Sequence, residues 1–143
     1  MMKTAIKEAL LSGSDIPVGA VIVKDGKIIS RSCNNREKTS DITGHAEIIA
    51  IREAEKTLGN WRLDGCELYV TLEPCPMCAW AIIQSRIKSV YFGSYDTNYG
   101  ALGSKTDLRK LTNCDLKVYG GIMEEECDKL LKDYFLNIRS NCT

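Results

Sequence analysis

The stretch "LYVTLEPCPMCAWAIIQSRI", from Leu68 to Ile87, decides how this sequence is interpreted. It begins with β-branched and aromatic residues typical of a strand and continues, after Pro74 and Pro76, as an apolar helix. Because proline is tolerated in the first turn of a helix, the helix should begin around Cys75. Cys75 and Cys78 are three residues apart, so their sulfur atoms share one face, and the helix start favours thiolate over thiol. The stretch therefore predicts a strand-to-helix junction that carries two thiolates.

A second phrase, "GHAEIIAI" from Gly44 to Ile51, contains the only histidine of the chain. Imidazole and thiolate are both ligands that zinc accepts. Structural zinc sites take four ligands from the protein, whereas catalytic sites take three and leave one position for water. His45, Cys75 and Cys78 make three ligands, so we predict a catalytic site that binds one Zn²⁺ per chain.

Glu47 lies two residues after His45 at the predicted start of another helix, so the two side chains point in different directions. We expect His45 to bind the metal and Glu47 to accept and deliver protons beside it. Zinc lowers the pKa of water towards neutrality and so provides a nucleophile. These groups suit hydrolytic deamination of an aromatic base, in which water adds to the carbon that bears the amino group and ammonia leaves.

Each phrase alone also has a plainer interpretation. H-x-E occurs by chance, and C-x-x-C is found in redox pairs and in structural zinc knuckles. A structural site would need a fourth ligand, and the remaining candidates are Cys33, Cys66, Cys114 and Cys127, none within a second C-x-x-C or C-x-x-H phrase. A non-catalytic zinc-binding interaction module would have no use for Glu47.

The composition sets wider limits. The 143 residues suit one domain, which we place at 1–143. Nineteen Lys and Arg balance nineteen Asp and Glu, so the net charge neither supports nor excludes an RNA partner. The N-terminus lacks the features of a secretory signal, no stretch has the length of a membrane span, and the seven cysteines are an odd number. We expect a soluble, cytoplasmic protein with reduced thiols and no membrane partner.

Helical and strand patterns alternate along the chain. The predicted helices span 2–12, 45–58, about 75–85 and 123–139, and the predicted strands span 18–23, 28–33, 67–72, 89–94 and 116–121, with a glycine-rich loop at 95–104. This order predicts an α/β fold with a five-stranded mixed sheet covered by helices on both faces.

These motifs resemble the zinc-dependent cytidine/deoxycytidylate deaminase superfamily. Within it, the phrases "IPVGAVIV", "HAEIIAIR", "LYVTLEPCPMCAWAIIQSRI", "VYFGSYD" and "GALGS" resemble the bacterial tRNA-specific adenosine deaminases, which convert the wobble adenosine of a tRNA anticodon to inosine. The resemblance extends from about Met2 to Arg139 and is most specific from Leu68 to Gly93. It implies a cytidine-deaminase-like three-layer α/β/α sandwich, a homodimer and the tRNA anticodon loop as partner.

Residue by residue, the resemblance implies His45, Cys75 and Cys78 as zinc ligands and Glu47 as the proton shuttle. It also places Asn35, in "NNRE", at the edge of the bound base, a role that suits an amide group. Without the resemblance, a surface asparagine in a turn is the more ordinary interpretation.

Four further residues have roles implied by the resemblance alone. Asp96 corresponds to a position near the sugar of the nucleotide, and Tyr134, Phe135 and Arg139 correspond to positions of the last helix that approach the RNA loop. By themselves, aromatic residues in an amphipathic helix are more typical of a core.

A deaminase of free guanine, cytosine or a nucleoside is the alternative, because it shares the H-A-E and P-C-P-M-C phrases and needs no basic surface. The phrases "SRI", "YD" and "GALGS" favour the tRNA enzyme, since zinc chemistry alone does not require them. The chain also departs from the family at Trp80, where a small residue is usual, at Asn98, where lysine is common, and in its short tail "SNCT".

Overall fold

The computed structural model describes residues 1–141, with the side chains of 139–141 left outside that description. The helices are α1 Met2–Ala9, α2 Arg36–Thr39, α3 Ala46–Leu58, α4 Pro76–Gln84 and α5 Glu124–Asn141. The strands are β1 Gly19–Lys24, β2 Lys27–Cys33, β3 Cys66–Leu72, β4 Ser89–Ser94 and β5 Lys117–Tyr119. They form one sheet in the order β2-β1-β3-β4-β5, in which β1 runs antiparallel to its neighbours and β3, β4 and β5 run parallel.

Strand β1, which lies between β2 and β3, is apolar along most of its length because helices cover both faces of the sheet. Ala20 and Ile22 pack into the larger core, which α3 and α4 close. Val21 and Val23 pack into a second cluster on the opposite face, with Met2 of α1 and residues at the start of α5. A strand buried on both faces has a continuous apolar sequence rather than an alternating one. The fold is therefore the predicted three-layer α/β/α sandwich with a five-stranded mixed sheet.

Two buried serines of β2 fix the position of α3. Ser30 Oγ donates a hydrogen bond to Ala50 O at 2.8 Å, and Ser32 Oγ donates to Ala46 O at 2.5 Å. Their hydroxyl groups therefore set where α3 begins relative to the edge of the sheet.

The predicted elements are all present, with boundaries that differ by a few residues. β4 has the predicted bounds, whereas α1 ends at Ala9 because the chain turns before Gly13, whose φ is +63°. β5 is shorter than predicted. The single-turn helix α2 and a 3-10 helix at Leu108–Leu111 were not predicted, because one turn is too short to show a periodic pattern.

The longest helix, α5, spans 18 residues and is rich in charged side chains. Within residues 1–141, no helix combines the length and the apolar character needed to cross a membrane.

Because β3 and β4 are parallel, their carboxyl ends meet at one edge of the sheet. In α/β sheets ligands bind outside these strand ends. The segment after β3 carries the cysteines, and the segment after β4 is the glycine-rich loop, so both enter the same site.

Candidate functional site

The three predicted zinc ligands lie together at this edge. His45 Nδ1 is 3.6 Å from Cys75 Sγ and 3.4 Å from Cys78 Sγ. The ligand atoms of the three residues lie within 4.8 Å of one another and could hold a metal ion. No other cysteine of the described residues joins this group. One imidazole and two thiols without a fourth protein ligand match a catalytic zinc site better than a structural one.

Each ligand lies at the start of a helix. His45 is the N-cap residue of α3, Cys75 is the N-cap residue of α4, and Cys78 lies in the first turn of α4. Pro76 occupies the first helical position, where its missing N–H group removes no helical hydrogen bond. The positive ends of two helices therefore flank the cluster, a position that stabilises negative charge on the ligands.

Hydrogen bonds within the cluster shift the pKa of each member. The hydrogen bond with Cys78, and then that with His45, lowers the pKa of Cys75 to about 4 against its burial. The interaction with Cys75, followed by burial, raises the pKa of Cys78. The hydrogen bond to Cys75 also raises the pKa of His45. Within this pair the thiolate form is favoured at Cys75, and metal binding to Cys78 would release its proton.

Glu47 lies beside this cluster, near the start of α3. Its side chain is only 4% exposed, and burial raises the pKa of its carboxyl group to about 7. A carboxyl group with such a pKa can both accept and donate a proton near neutral pH. The position of Glu47 beside the ligands and the raised pKa of its carboxyl group therefore suit the predicted acid and base role.

A cavity of about 430 Å³ opens next to the cluster. This volume lies within the range of pockets for small molecules and single bases. The cavity is lined by Asp15, Ile16, Val18, Asn34, Arg36, His45, Glu47, Leu72, Glu73, Cys75, Asp96 and Tyr99.

Asn35 is not among the residues that line this cavity, and the structure places its neighbour Asn34 there instead. Asn35 is the N-cap residue of α2, and its backbone N–H donates to Gly44 O at 3.0 Å. Asn34 Oδ1 accepts a hydrogen bond from Ala46 N at 2.8 Å, and Asn34 Nδ2 donates to Ile16 O at 3.0 Å. The Asn34 amide is thus fixed in orientation and still has one N–H free of these bonds.

The sequence contained a signal for Asn34 that was missed. Side chains alternate along a strand, and Ser30 and Ser32 of β2 both face α3. Asn34 follows with the same two-residue spacing, so the alternation assigns it, rather than Asn35, to the inner face.

Glu73, directly after β3, holds the loop that follows β4. Its side chain is 2% exposed, and Oε1 accepts a hydrogen bond from Asp96 N at 3.2 Å. Oε2 accepts from Leu102 N at 3.2 Å and from Ser104 N at 3.1 Å, and the Ser104 hydroxyl donates a further bond to Oε1. A Cβ atom on Gly100 would lie 2.5 Å from the Glu73 carboxyl carbon, so this close approach requires glycine. Sequence reasoning did not assign Glu73 a role.

Asp96 lies in the cavity lining. Its Oδ1 accepts hydrogen bonds from Asn98 N and Tyr99 N, both at 3.0 Å. Tyr99 also lines the cavity and was not predicted. The contact of Asp96 with a sugar stays a prediction.

Tyr134 and Phe135 lie beside a second groove, which shares Asp15, Ile16 and Arg36 with the cavity beside the metal-binding cluster. The Tyr134 hydroxyl donates to Ser14 O at 2.9 Å, and the ring of Phe135 contacts that of Tyr134 edge to face. The side chain of Arg139 lies outside the described residues. Contacts of these three residues with RNA stay predictions.

The family model described as "Cytidine and deoxycytidylate deaminase zinc-binding region" matches residues 1–94. The tRNA-specific adenosine deaminase of Bacillus subtilis is 45% identical over 142 residues, which cover 96% of this chain and 88% of that protein. The similarity to this relative extends beyond the metal ligands and includes 96% of the chain.

Two solved structures are also similar. One, from a study of A-to-I editing by tRNA deaminases at the wobble position, has a TM-score of 0.84 and 43% identity and covers 91% of this chain and 97% of that chain. The other, a guanine deaminase from Bacillus subtilis, has a TM-score of 0.64 and 46% identity and covers 68% of this chain and 64% of that chain.

The hydrogen bonds of Glu73 lead to a prediction for stability. In Glu73→Gln an amide NH₂ replaces one carboxylate oxygen and faces N–H donors, so we expect the free energy of unfolding to fall by about 2–3 kcal/mol. Urea unfolding of the zinc-loaded protein measures the change. The matched control is Glu53→Gln on the surface of α3. Glu53 forms an exposed ion pair with Lys56, and its variant should change stability by less than about 0.5 kcal/mol. Equal stability of the two variants would contradict the role of Glu73.

Proposed function

Because the chain belongs to the tRNA-specific adenosine deaminases, within the cytidine and deoxycytidylate deaminase family, we propose that it converts the wobble adenosine of a tRNA anticodon to inosine. Water and adenosine are consumed, and inosine and ammonia are formed. One deaminase domain spanning 1–143 carries this activity. The observation that supports it most directly is the metal-binding cluster at the wall of a cavity that also contains Glu47.

Zn²⁺ is the cofactor, and His45, Cys75 and Cys78 would hold it through Nδ1 and two thiolates. When bound, zinc polarises a water molecule so that it becomes a nucleophile near neutral pH. The protein prepares this site by placing its ligands at two helix starts, where the ligands need little rearrangement.

Glu47 moves the protons of the reaction. Its carboxylate accepts a proton from the attacking water and gives it to a ring nitrogen of the purine. A second transfer carries the proton of the newly added hydroxyl group to the amino group, the bond between the ring carbon and that nitrogen breaks, and ammonia leaves. Because the Glu47 carboxyl group is buried beside the ligands, one residue can serve each of these steps.

The reactive base enters the cavity from a single-stranded loop, where little energy is needed to unstack it. The free N–H of Asn34 is positioned to hydrogen-bond the edge of the purine. Asp96, at the side of the cavity that the loop after β4 forms, would lie near the ribose. Asn34 therefore takes the role that the sequence had assigned to Asn35.

The anticodon loop would continue from the cavity into the groove beside α5. Arg36 lines both and forms no ion pair among the described residues, so it can contact a phosphate. Tyr134 and Phe135 offer aromatic surface, and Arg139 adds a positive charge to the same helix. We also propose that the protein acts in the cytoplasm.

A deaminase of free guanine or a related base is the second candidate. It is favoured by the similarity to the guanine deaminase of Bacillus subtilis, which includes 68% of this chain, and by the balanced charge. A deaminase of free bases would make no use of the groove beside α5.

The metal site can be tested by metal analysis. We expect His45→Ala and Cys78→Ala to lose zinc, whereas Glu47→Gln keeps one zinc per chain and loses at least about 10²–10⁴-fold in kcat. Cys66→Ala is the matched control, because Cys66 is a buried cysteine outside the cluster and its variant should retain zinc. Full activity of Glu47→Gln would refute the proton-transfer role.

The substrate is tested by direct comparison. The zinc-loaded protein is given an anticodon stem-loop with adenosine at the wobble position and, separately, free guanine, cytosine, adenine and their nucleosides. We expect inosine in the stem-loop and ammonia in equal amount, with affinity that decreases as salt increases. Ammonia from a free base with an unchanged stem-loop would support the second candidate and leave the zinc ligands and Glu47 unaffected.

We also propose a homodimer in which α4 packs across the interface. Met77 and Trp80 form an exposed apolar surface on this helix, and Trp80 is 39% exposed. A C2 contact of such a helix with its copy would bury both surfaces.

Sedimentation should show two chains for the wild type and one chain for Trp80→Glu at low micromolar concentration. The exposed Trp61→Glu variant is the control and should remain dimeric. A monomeric wild type would exclude this assembly.

A further inference from the structure

Tyr99 lies at the rim of the catalytic cavity, and its side chain is 69% exposed. None of the aromatic contacts among the described residues includes its ring. Because the ring is so exposed, it contributes little to the packing of the chain. Its flat surface is available to a ligand at the mouth of the cavity.

The backbone that carries Tyr99 is held in place before any ligand binds. Tyr99 N donates to Asp96 Oδ1 at 3.0 Å, and Gly100 N donates to Asp96 O at 2.8 Å. Asp96 N in turn donates to the buried Glu73 carboxylate, against which Gly100 also packs. Because the backbone of this turn is already ordered, ligand binding at the ring costs little backbone entropy, which favours affinity.

We propose that Tyr99 is a stacking platform for the base next to the reactive adenosine, an inference that rests on the proposed function. The reactive base must reach Glu47, which is buried, whereas Tyr99 is exposed at the mouth of the same cavity. The ring therefore meets the neighbouring nucleotide of the loop. Every base has a flat aromatic face, so this contact adds affinity with little sequence preference, as stacking does in other complexes with single-stranded nucleic acid.

The test uses zinc-loaded wild type, Tyr99→Ala and Tyr99→Phe with the anticodon stem-loop. We expect Tyr99→Ala to raise KM between about fivefold and a hundredfold, the range that base–aromatic stacking covers, with kcat changed by less than about twofold. Tyr99→Phe keeps the ring and should stay near the wild-type KM. Because the side chain is exposed, both variants should fold and bind zinc like the wild type.

A second set of stem-loops has an abasic nucleotide on one side or the other of the wobble adenosine. Where the missing base is the one that stacks on Tyr99, the abasic nucleotide should raise the KM of the wild type. It should cause no further rise in the KM of Tyr99→Ala. An unchanged KM of Tyr99→Ala, an equal abasic penalty in both enzymes, or an equal loss on free adenosine would each overturn the proposal.

The same experiment separates this inference from the proposed function. If the wild type and Tyr99→Ala both edit the stem-loop with the same KM, the stacking role is wrong and the proposed function stands. A wild type that releases ammonia from free guanine and forms no inosine in any stem-loop overturns both.

Discussion

The hydrogen bonds of the Glu73 carboxylate join the strand end that carries the cysteines to the loop that forms the opposite wall of the cavity. Burying a carboxylate is costly unless hydrogen bonds replace its water, and here three backbone N–H groups and one hydroxyl do so. The loop presents these donors together, and Gly100 allows the close approach to the carboxyl group. The hydrogen bonds that offset the burial of Glu73 therefore stabilise this loop structure, and with it the positions of Asp96 and Tyr99.

The other wall depends on where two helices begin. The serines of β2 and the Asn34 amide bind the first turns of α3, which fixes His45 at its N-terminus. The prolines around Cys75 start α4 beside it. The N-terminus of a helix stabilises negative charge. The starts of α3 and α4 therefore position the ligands and also stabilise the thiolates that zinc requires. The positions of these two helix N-termini thus determine both the local fold and the metal-binding chemistry at this edge of the sheet.

The sequence was sufficient for the features that depend on local pattern. The strand-to-helix junctions, the mixed five-stranded sheet and the grouping of His45, Cys75 and Cys78 follow from residue type and spacing. Asn35 was the predicted asparagine, whereas Asn34 lines the cavity, because the alternation of β2 continues beyond the end of the strand. The role of Glu73 could not be predicted, since most of its partners are backbone N–H groups that carry no mark in the sequence. Tyr99 was missed for a similar reason, because only the folded loop brings it to the cavity.

The balanced charge of the chain limits how it can bind RNA. Each phosphate contact to a single strand contributes a slope of about −0.7 in log K against log salt, so a site with few cations should depend weakly on salt. Recognition must then rest on the shape of the cavity and on aromatic surface beside it. The groove walled by Tyr134 and Phe135 continues from the cavity through Arg36 and would have no ligand in an enzyme that accepts only a free base. This continuity favours a substrate larger than one base, and a single-stranded loop of RNA has the size and the stacking surfaces to occupy both.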